Sequence, residues 1–319
     1  MRSIKYLLVG GAGFIGSHTA RELLKSEPRC RVMIYDNFSS GRKSHLGDVI
    51  SSKNLSVVRG DVKNFKKLAR AMKGTNVVYH FASNPDIARA QKEPDIDFWE
   101  GTFLTHHVLE AMRRNQVAKV LYASGSGVYG DTGTLRTRED YSPMRPISTY
   151  GASKLAGESL ICAYSSMFGI TGSVFRFANV VGPQQTHGVG YDFVQRLLRN
   201  PKELLILGDG RQDKPYIYVS DVVNAMRMAQ KKMKKGFHIF NVAPQDSMTV
   251  NEIAKKTVEI LGFSGVKFCY TGGDRGWKGD VPVVRMDSQR IRKLGWKNHY
   301  SSKQAVAMSL RSLYREALL

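Results

Sequence analysis

Tyr150 and Lys154 stand four residues apart in Tyr150-Gly151-Ala152-Ser153-Lys154. On a helix that spacing puts both side chains on one face, one turn apart. A phenol has a reference pKa near 10, so it is a poor base at neutral pH. Lowering it by about three units takes about 4 kcal/mol of differential stabilisation of the phenolate. An ammonium one turn away supplies part of that. The phenolate could then take a proton from a hydroxyl while a hydride leaves the same carbon. Such chemistry needs a hydride acceptor, and the chain must hold one. Taken alone, the pair also reads as a surface Tyr and a solvated Lys.

The N-terminus offers a place for the acceptor. Gly10, Gly13 and Gly16 form G-x-x-G-x-x-G directly after the apolar run Ile4 to Val9. In a strand–turn–helix unit these glycines allow a tight turn, close approach to a pyrophosphate and tight helix packing. A helix starting near Phe14 and Ile15 would point its positive end at the phosphates. Asp36 lies 20 residues after Gly16, at the end of a second strand, where a carboxylate accepts from a ribose diol. A 2′-phosphate would be repelled there, so NAD is expected rather than NADP. Arg42 and Lys43 soften that preference. Asp61, after a third strand, can bond an adenine amino group with Val62 packed on the ring. An oxidised nicotinamide would complete the stabilisation of the Tyr150 phenolate.

Strands alternating with helices must position these groups. Ile4–Val9, Arg31–Tyr35, Leu55–Arg59, Val77–Phe81, Lys119–Ser124 and Gly172–Phe177 read as strands. Ser17–Leu24, Phe65–Met72, Thr102–Arg114 and Tyr150–Phe168 read as helices. The alternation predicts an α/β fold, a Rossmann-type doubly wound parallel sheet with a smaller α/β C-terminal lobe. The NAD-binding domain is expected over residues 1–180, with contributions from about 215–245, and the smaller lobe over 181–319. The second half is punctuated by prolines, with a loop at Gly188–Gly190 and helices at Val250–Leu261 and Ser302–Leu318.

Composition sets the outer bounds. The 319 residues are 42% hydrophobic and 24% charged, which excludes disorder or a coiled coil as the main architecture. The formal net charge of +21 favours anionic partners. Cys30, Cys162 and Cys269 form neither a disulfide framework nor a zinc spacing, which suits a reducing, cytoplasmic compartment. No apolar run reaches membrane-spanning length, and no membrane partner is expected. Glycines interrupt the apolar N-terminus and no cleavage site follows, which argues against a signal peptide. The eight histidines show no metal-ligand spacing, so no metal is expected; adjacent His106 and His107 would point apart on a helix. Lys231, Lys232, Lys234 and Lys235 form the densest basic run. A solvated helix end is the simpler reading, and no nucleic-acid motif accompanies it.

The combined motifs resemble the extended short-chain dehydrogenase/reductases. Val9-Gly10-Gly11-Ala12-Gly13-Phe14-Ile15-Gly16-Ser17-His18 looks like their opening. Asp36-Asn37-Phe38-Ser39-Ser40-Gly41-Arg42 is similar to the second-strand motif of the UDP-glucose 4-epimerase group. Val78-Tyr79-His80-Phe81-Ala82-Ser83 resembles the stretch that runs along the cofactor. Val128-Tyr129-Gly130, Tyr150 and Lys154 match the active-site half, and Arg176-Phe177-Ala178-Asn179-Val180-Val181-Gly182-Pro183 resembles the approach to the sugar-nucleotide site. The resemblance runs from Lys5 to about Trp296. It implies cofactor contacts from Gly10, Gly13, Phe14, Ile15, Gly16, Asp36, Asn37, Ser40, Gly41, Asp61, Val62, Phe81, Ala82, Ser83, Tyr150, Lys154 and Phe177. It implies substrate contacts from Asn84, Asn179, Val189, Tyr191, Lys214, Tyr216 and Arg275. It also implies a homodimer built from helices near Thr102–Arg114 and Tyr150–Phe168.

Three departures from the family pattern bear on the substrate. Gly125 stands where a Ser or Thr is usual, so the hydroxyl at the reacting oxygen comes from Ser124 or Ser126 or is missing, with Ser126 favoured. Lys214 replaces the usual Arg, giving a point charge in place of a fork. The stretch Arg275–Asp280 is two residues longer than usual, which leaves Lys278 as an alternative phosphate ligand. The related 4,6-dehydratases carry an Asp-Glu pair where this chain has Ser126 and Gly127, and neither can protonate a leaving hydroxyl. The expected activity is therefore an NAD-dependent UDP-sugar 4-epimerase of the UDP-glucose/UDP-galactose type. Alternatives are a UDP-uronate or UDP-N-acetylhexosamine epimerase, another sugar-nucleotide oxidoreductase, or a non-catalytic NAD-binding protein marked by Gly125.

Overall fold

The computed structural model describes residues 3–318. Its first stretch alternates strands with helices except between β2 and β3: β1 (Lys5–Val9), α1 (Phe14–Ser26), β2 (Arg31–Asp36), β3 (Leu55–Arg59), α2 (Phe65–Ala71), β4 (Val77–His80), α3 (Phe103–Arg114), β5 (Lys119–Gly125), α4 (Thr149–Phe168) and β6 (Thr171–Phe177). Shorter pieces follow: β7 (Asn179–Val181), α5 (Val189–Arg199), β8 (Glu203–Ile206), β9 (Asp213–Lys214), β10 (Tyr216–Tyr218), α6 (Val219–Lys232), β11 (Phe237–Val242), β12 (Met248–Thr249), α7 (Val250–Leu261), β13 (Lys267–Tyr270), α8 (Gln289–Arg292) and α9 (Ser302–Leu318).

Contacts divide the chain into two compact units. The first runs from the N-terminus to Gly125 and adds Ala152–Arg176 and Val223–Phe240. Its seven-stranded parallel sheet has the order β11-β6-β5-β4-β1-β2-β3. β4, β6 and all but the first residue of β1 are buried, as expected for parallel strands covered on both faces. Leu7, Val78, Val120 and Val174 pack with Val108, Leu109, Met112 and Ile161 from the helices. The strand order turns back between β1 and β4. In open α/β sheets, ligands bind at the strand ends beside such a switch.

The second unit comprises Ser126–Gly151, Phe177–Val222 and Asn241 onward. Its core gathers Phe193, Val194 and Leu197 of α5, Ile253 and Leu261 of α7, and Val306 and Leu310 of α9. α7 is bounded as its sequence dictates: Thr249 and Glu252 cap one another, and Gly262 ends the helix at φ 74°. Gly188–Gly190, expected as a loop, is instead a helix start. Gly188 turns the chain at φ 101°, and Val189 opens α5, whose buried Phe193, Val194 and Leu197 hold it down. Among the described residues, no helix is long and apolar enough to cross a membrane.

Candidate active site

The glycine turn lies in the first unit, between β1 and α1. Gly10 sits at φ 77°, and a Cβ there would stand 2.6 Å from the Ala82 backbone nitrogen. Only glycine lets the end of β1 press this closely on the segment after β4. Gly13 is the N-cap of α1 without a capping side chain, and the first turn holds no acid. The orphan N–H groups at Phe14, Ile15 and Gly16 therefore face outward at the positive end of the helix. Phe14 and Ile15 are half-buried and Gly16 is buried.

Asp36, at the end of β2, is 7% exposed. Its Oδ2 accepts from the Ala12 N–H at 2.9 Å and its Oδ1 from the Phe38 N–H at 2.8 Å. Burial raises the Asp36 pKa, and those two backbone donors oppose the rise. Gly41 lies against Asp36 and Ala12, and Asn37 Nδ2 donates to Asp61 Oδ2 at 3.2 Å. Val62 is buried, and its carbonyl meets His107 Nδ1 at 3.0 Å. The fold thus brings Gly10–Gly16, Asp36, Asn37, Gly41, Asp61, Phe81 and Ala82 together. Ser40 is exposed, and Ser83 is half-buried. Uncapped helix donors, a carboxylate at the second strand end and a close glycine turn fit the pyrophosphate and ribose of NAD.

Tyr150 and Lys154 both lie on α4, one turn apart. Tyr150 is half-buried, whereas Lys154 is 3% exposed. Lys154 Nζ donates to the Ala123 carbonyl at 2.9 Å and lies 5.1 Å from the centre of the Tyr122 ring. Burial pulls its pKa down to about 8, while Asp97 and Glu158 push upward. On β4, His80 is fully buried; its Nε2 meets Thr105 Oγ1 at 3.1 Å and its Nδ1 has no hydrogen-bond partner. Burial first, and the Lys154 charge second, lower its pKa to about 3, so the ring stays neutral.

The two candidate serines differ. Ser124 is 5% exposed and its Oγ donates to Glu158 Oε1 at 2.5 Å. The same carboxylate takes Arg176: Nε lies 3.1 Å from both oxygens, and a terminal nitrogen 2.6 Å from Oε2. Ser126 is half-buried and opens a short 3₁₀ turn to Tyr129.

The expected substrate residues other than Asn84 fall in the second unit. Asn179 pairs with Tyr216 across parallel β7 and β10, and its side chain donates to the Pro215 carbonyl at 3.3 Å. Lys214 pairs with Asp280. Arg275 donates to the Asp280 carbonyl and to Asp131 Oδ2, each at 2.6 Å. Asp280 therefore draws Lys214 and the Arg275 loop together, while Lys278 is exposed. Tyr216 and Val189 line one small apolar niche with Val181 and Leu310. Burial, with Asp280 and Asp213 nearby, raises the Tyr216 phenol. Tyr191 packs against the edge of the same core, and Phe177 is buried. In the first unit, Asn84 is 4% exposed and donates to Asp97 Oδ1 at 2.9 Å. Sequence reasoning missed Asp97, Glu158 and the charged role of Arg176. Glu158 alone carried a legible signal, one turn beyond Lys154.

The first unit carries a glycine turn and a strand-end carboxylate that fit a dinucleotide, and α4 carries the Tyr–Lys pair. Residues 6–243 match the model of the NAD dependent epimerase/dehydratase family. The chain belongs to that family, whose cofactor is NAD. A Methanocaldococcus jannaschii protein, provisionally named a UDP-glucose 4-epimerase, is 31% identical over 308 residues, covering 94% of this chain and 95% of its own. A solved UDP-galactose 4-epimerase is 35% identical with a TM-score of 0.88, covering 98% of this chain and 99% of that one. The Streptomyces venezuelae dTDP-glucose 4,6-dehydratase DesIV, solved with NAD and TYD bound, is 26% identical with a TM-score of 0.91, covering 98% and 97%.

Proposed function

We propose that the protein is a UDP-sugar 4-epimerase that interconverts UDP-glucose and UDP-galactose through a transient 4-keto sugar. The observation that carries this reading is the Tyr150–Lys154 pair in a chain whose Ser124–Gly127 stretch holds no carboxylate. Water elimination needs an added acid and base, and inversion at C4 does not. The similarity to UDP-glucose and UDP-galactose epimerases supports the same choice.

The glycine turn and the start of α1 would hold the pyrophosphate of NAD, Asp36 the ribose and Asp61 the adenine. NAD, when bound, supplies the hydride acceptor and donor. Tyr150 Oη takes the proton from the C4 hydroxyl and returns it. Lys154 holds the phenolate form by its charge. Ser126 supplies the hydroxyl that bonds the reacting oxygen, because Ser124 is committed to Glu158. Asn179, Lys214 and Arg275 meet the diphosphate of the substrate. Residues 1–180, with help from about 215–245, serve the cofactor, with Ser126 and Asn179 reaching the substrate, and 181–319 serve the sugar nucleotide. The protein works as a homodimer in the cytoplasm. Exposed Phe98, Trp99, Met167 and Phe168 on and beside α3 and α4 support the pairing, and three free cysteines fit a reducing compartment.

Proton NMR of the anomeric signals tests the reading. Purified protein with NAD is mixed separately with UDP-glucose, UDP-N-acetylglucosamine and UDP-glucuronate. A new galacto-type signal from UDP-glucose is expected. A product only from another sugar would move the substrate assignment, and no product from any would overturn the reaction. Tyr150→Phe should abolish turnover with NAD still bound.

A further inference from the structure

We infer that Asp97 is the counter-charge of Lys154 and a positioning residue for the proton-transfer pair. The inference rests on the Tyr150–Lys154 reading above. Four charged residues in the first unit are buried: Asp97 at 1% exposure, Lys154 at 3%, Glu158 at 2% and Arg176 at 0%. A buried charge is stable only when it is paired. Glu158 is already gripped by the Arg176 fork and the Ser124 hydroxyl. That pair balances itself. The two remaining charges are Lys154 and Asp97, and they are opposite.

The backbone places Asp97 for this task. It immediately precedes a π-type turn, Phe98–Thr102, that leads into α3. Gly101 of that turn presses on Ser153, the neighbour of Lys154; an added Cβ would stand 1.9 Å from Ser153 Oγ. The segment that carries Asp97 thus abuts α4 at Ser153, next to the lysine in the chain. Asn84 fixes the carboxylate in turn. Its Nδ2 donates to Asp97 Oδ1 at 2.9 Å and to the Asp86 carbonyl at 2.8 Å, and its Oδ1 accepts the Asp86 N–H at 3.0 Å. Asn84 is therefore itself immobilised while it holds Asp97.

The other groups facing Lys154 cannot replace Asp97. His80 on β4 is neutral. Tyr122 on β5 presents its ring face, which carries no charge. Glu158, on the helix of Lys154 itself, is neutralised by Arg176 on β6. Tyr150, on the same helix, carries negative charge only as the phenolate that Lys154 is there to favour. Among the carboxylates that raise the Lys154 pKa, Asp97 has the larger effect. Without it, burial would strip the lysine of its proton and remove the charge that the phenolate needs.

The test is titration of Lys154 by its ¹³Cε NMR signal, assigned by its loss in Lys154→Met, in the substrate-free protein. In Asp97→Asn the midpoint should fall by at least one pH unit, a tenfold loss of proton affinity, and Asp97→Glu should restore most of it. Asn84→Ala keeps the carboxylate but removes its tether. It should move the midpoint the same way by a smaller step, and it covers an Asp97→Asn chain that does not fold. If UDP-glucose is turned over, the alkaline limb of kcat in Asp97→Asn should move down by the same amount with KM unchanged. An unmoved Lys154 midpoint in a folded Asp97→Asn protein would overturn the inference. So would a uniform loss of kcat at all pH values with that midpoint unmoved. The titration needs no substrate, so a wrong sugar assignment would leave its outcome unchanged.

Discussion

Arg176→Met isolates the cost of a buried ion pair in this fold. The Arg176 and Glu158 side chains are 1% and 3% exposed, and the guanidinium supplies three of the contacts to the carboxylate. Methionine fills much of the same volume but leaves Glu158 with only the Ser124 hydroxyl among these partners. Removing one partner of a buried pair costs about 3–5 kcal/mol. At about 2.1 cal/mol/K of unfolding entropy per residue, a chain of this size loses about 1.5 °C per kcal/mol. The expected fall in Tm is therefore about 5–8 °C, read by differential scanning calorimetry at pH 7.5. Arg176→Met with Glu158→Leu removes both charges, and an apolar replacement of a buried pair is often neutral. The double variant should regain most of the loss. A single variant within about 1 °C of the parent, or a double variant no more stable than the single, would refute the reasoning, because either result means that the charge is not what the pair stabilises.

The two serines should separate cleanly. Ser124→Ala removes a donor from buried Glu158 and should lower stability by about 1–2 kcal/mol, whereas Ser126→Ala should lower kcat with Tm unchanged; thermal melts and kinetics on the same samples decide. His80 sets an acid limit. Its folded pKa of about 3 lies below the unfolded value near 6.5, so the unfolded chain takes up the proton first and stability is lost as pH falls through that window. Urea titrations should show His80→Gln losing about 2–3 kcal/mol less than the parent between pH 6.5 and 4.5, and equal losses would disprove the assignment.

Local pattern carried most of the fold. Val250–Leu261 and Ser302–Leu318 stand at the bounds their periodicity implies, because a continuous apolar face leaves little choice. The glycine turn and Asp36 were legible for the same reason: their tasks depend on neighbours close in sequence. The small sheets of the second unit were not. β7, β9, β10 and β12 are two or three residues long, too short to show a period, and exist through partners remote in sequence. The site divided similarly. Tyr150 and Lys154 announce themselves on one helix. The commitment of Ser124 to Glu158, 34 residues away, depends on β5 lying beside α4, and no spacing encodes that. Asp97 precedes a π-type turn, which helical periodicity does not anticipate.

The place of β11 at the edge of the large sheet bears on how the chain is made. β5 leaves the ribosome long before Phe237, the first residue of β11, about 110 residues later. At typical synthesis rates of about 5–20 residues per second, that interval is on the order of ten seconds. For much of it β6, whose seven residues all end up buried, has no β11 to cover its free edge. An uncovered apolar strand is a template for pairing with other chains. The nascent protein therefore passes through a window in which its nucleotide cradle can already be formed while its sheet is still open on the far side, and crowding of unfinished chains would be most damaging then.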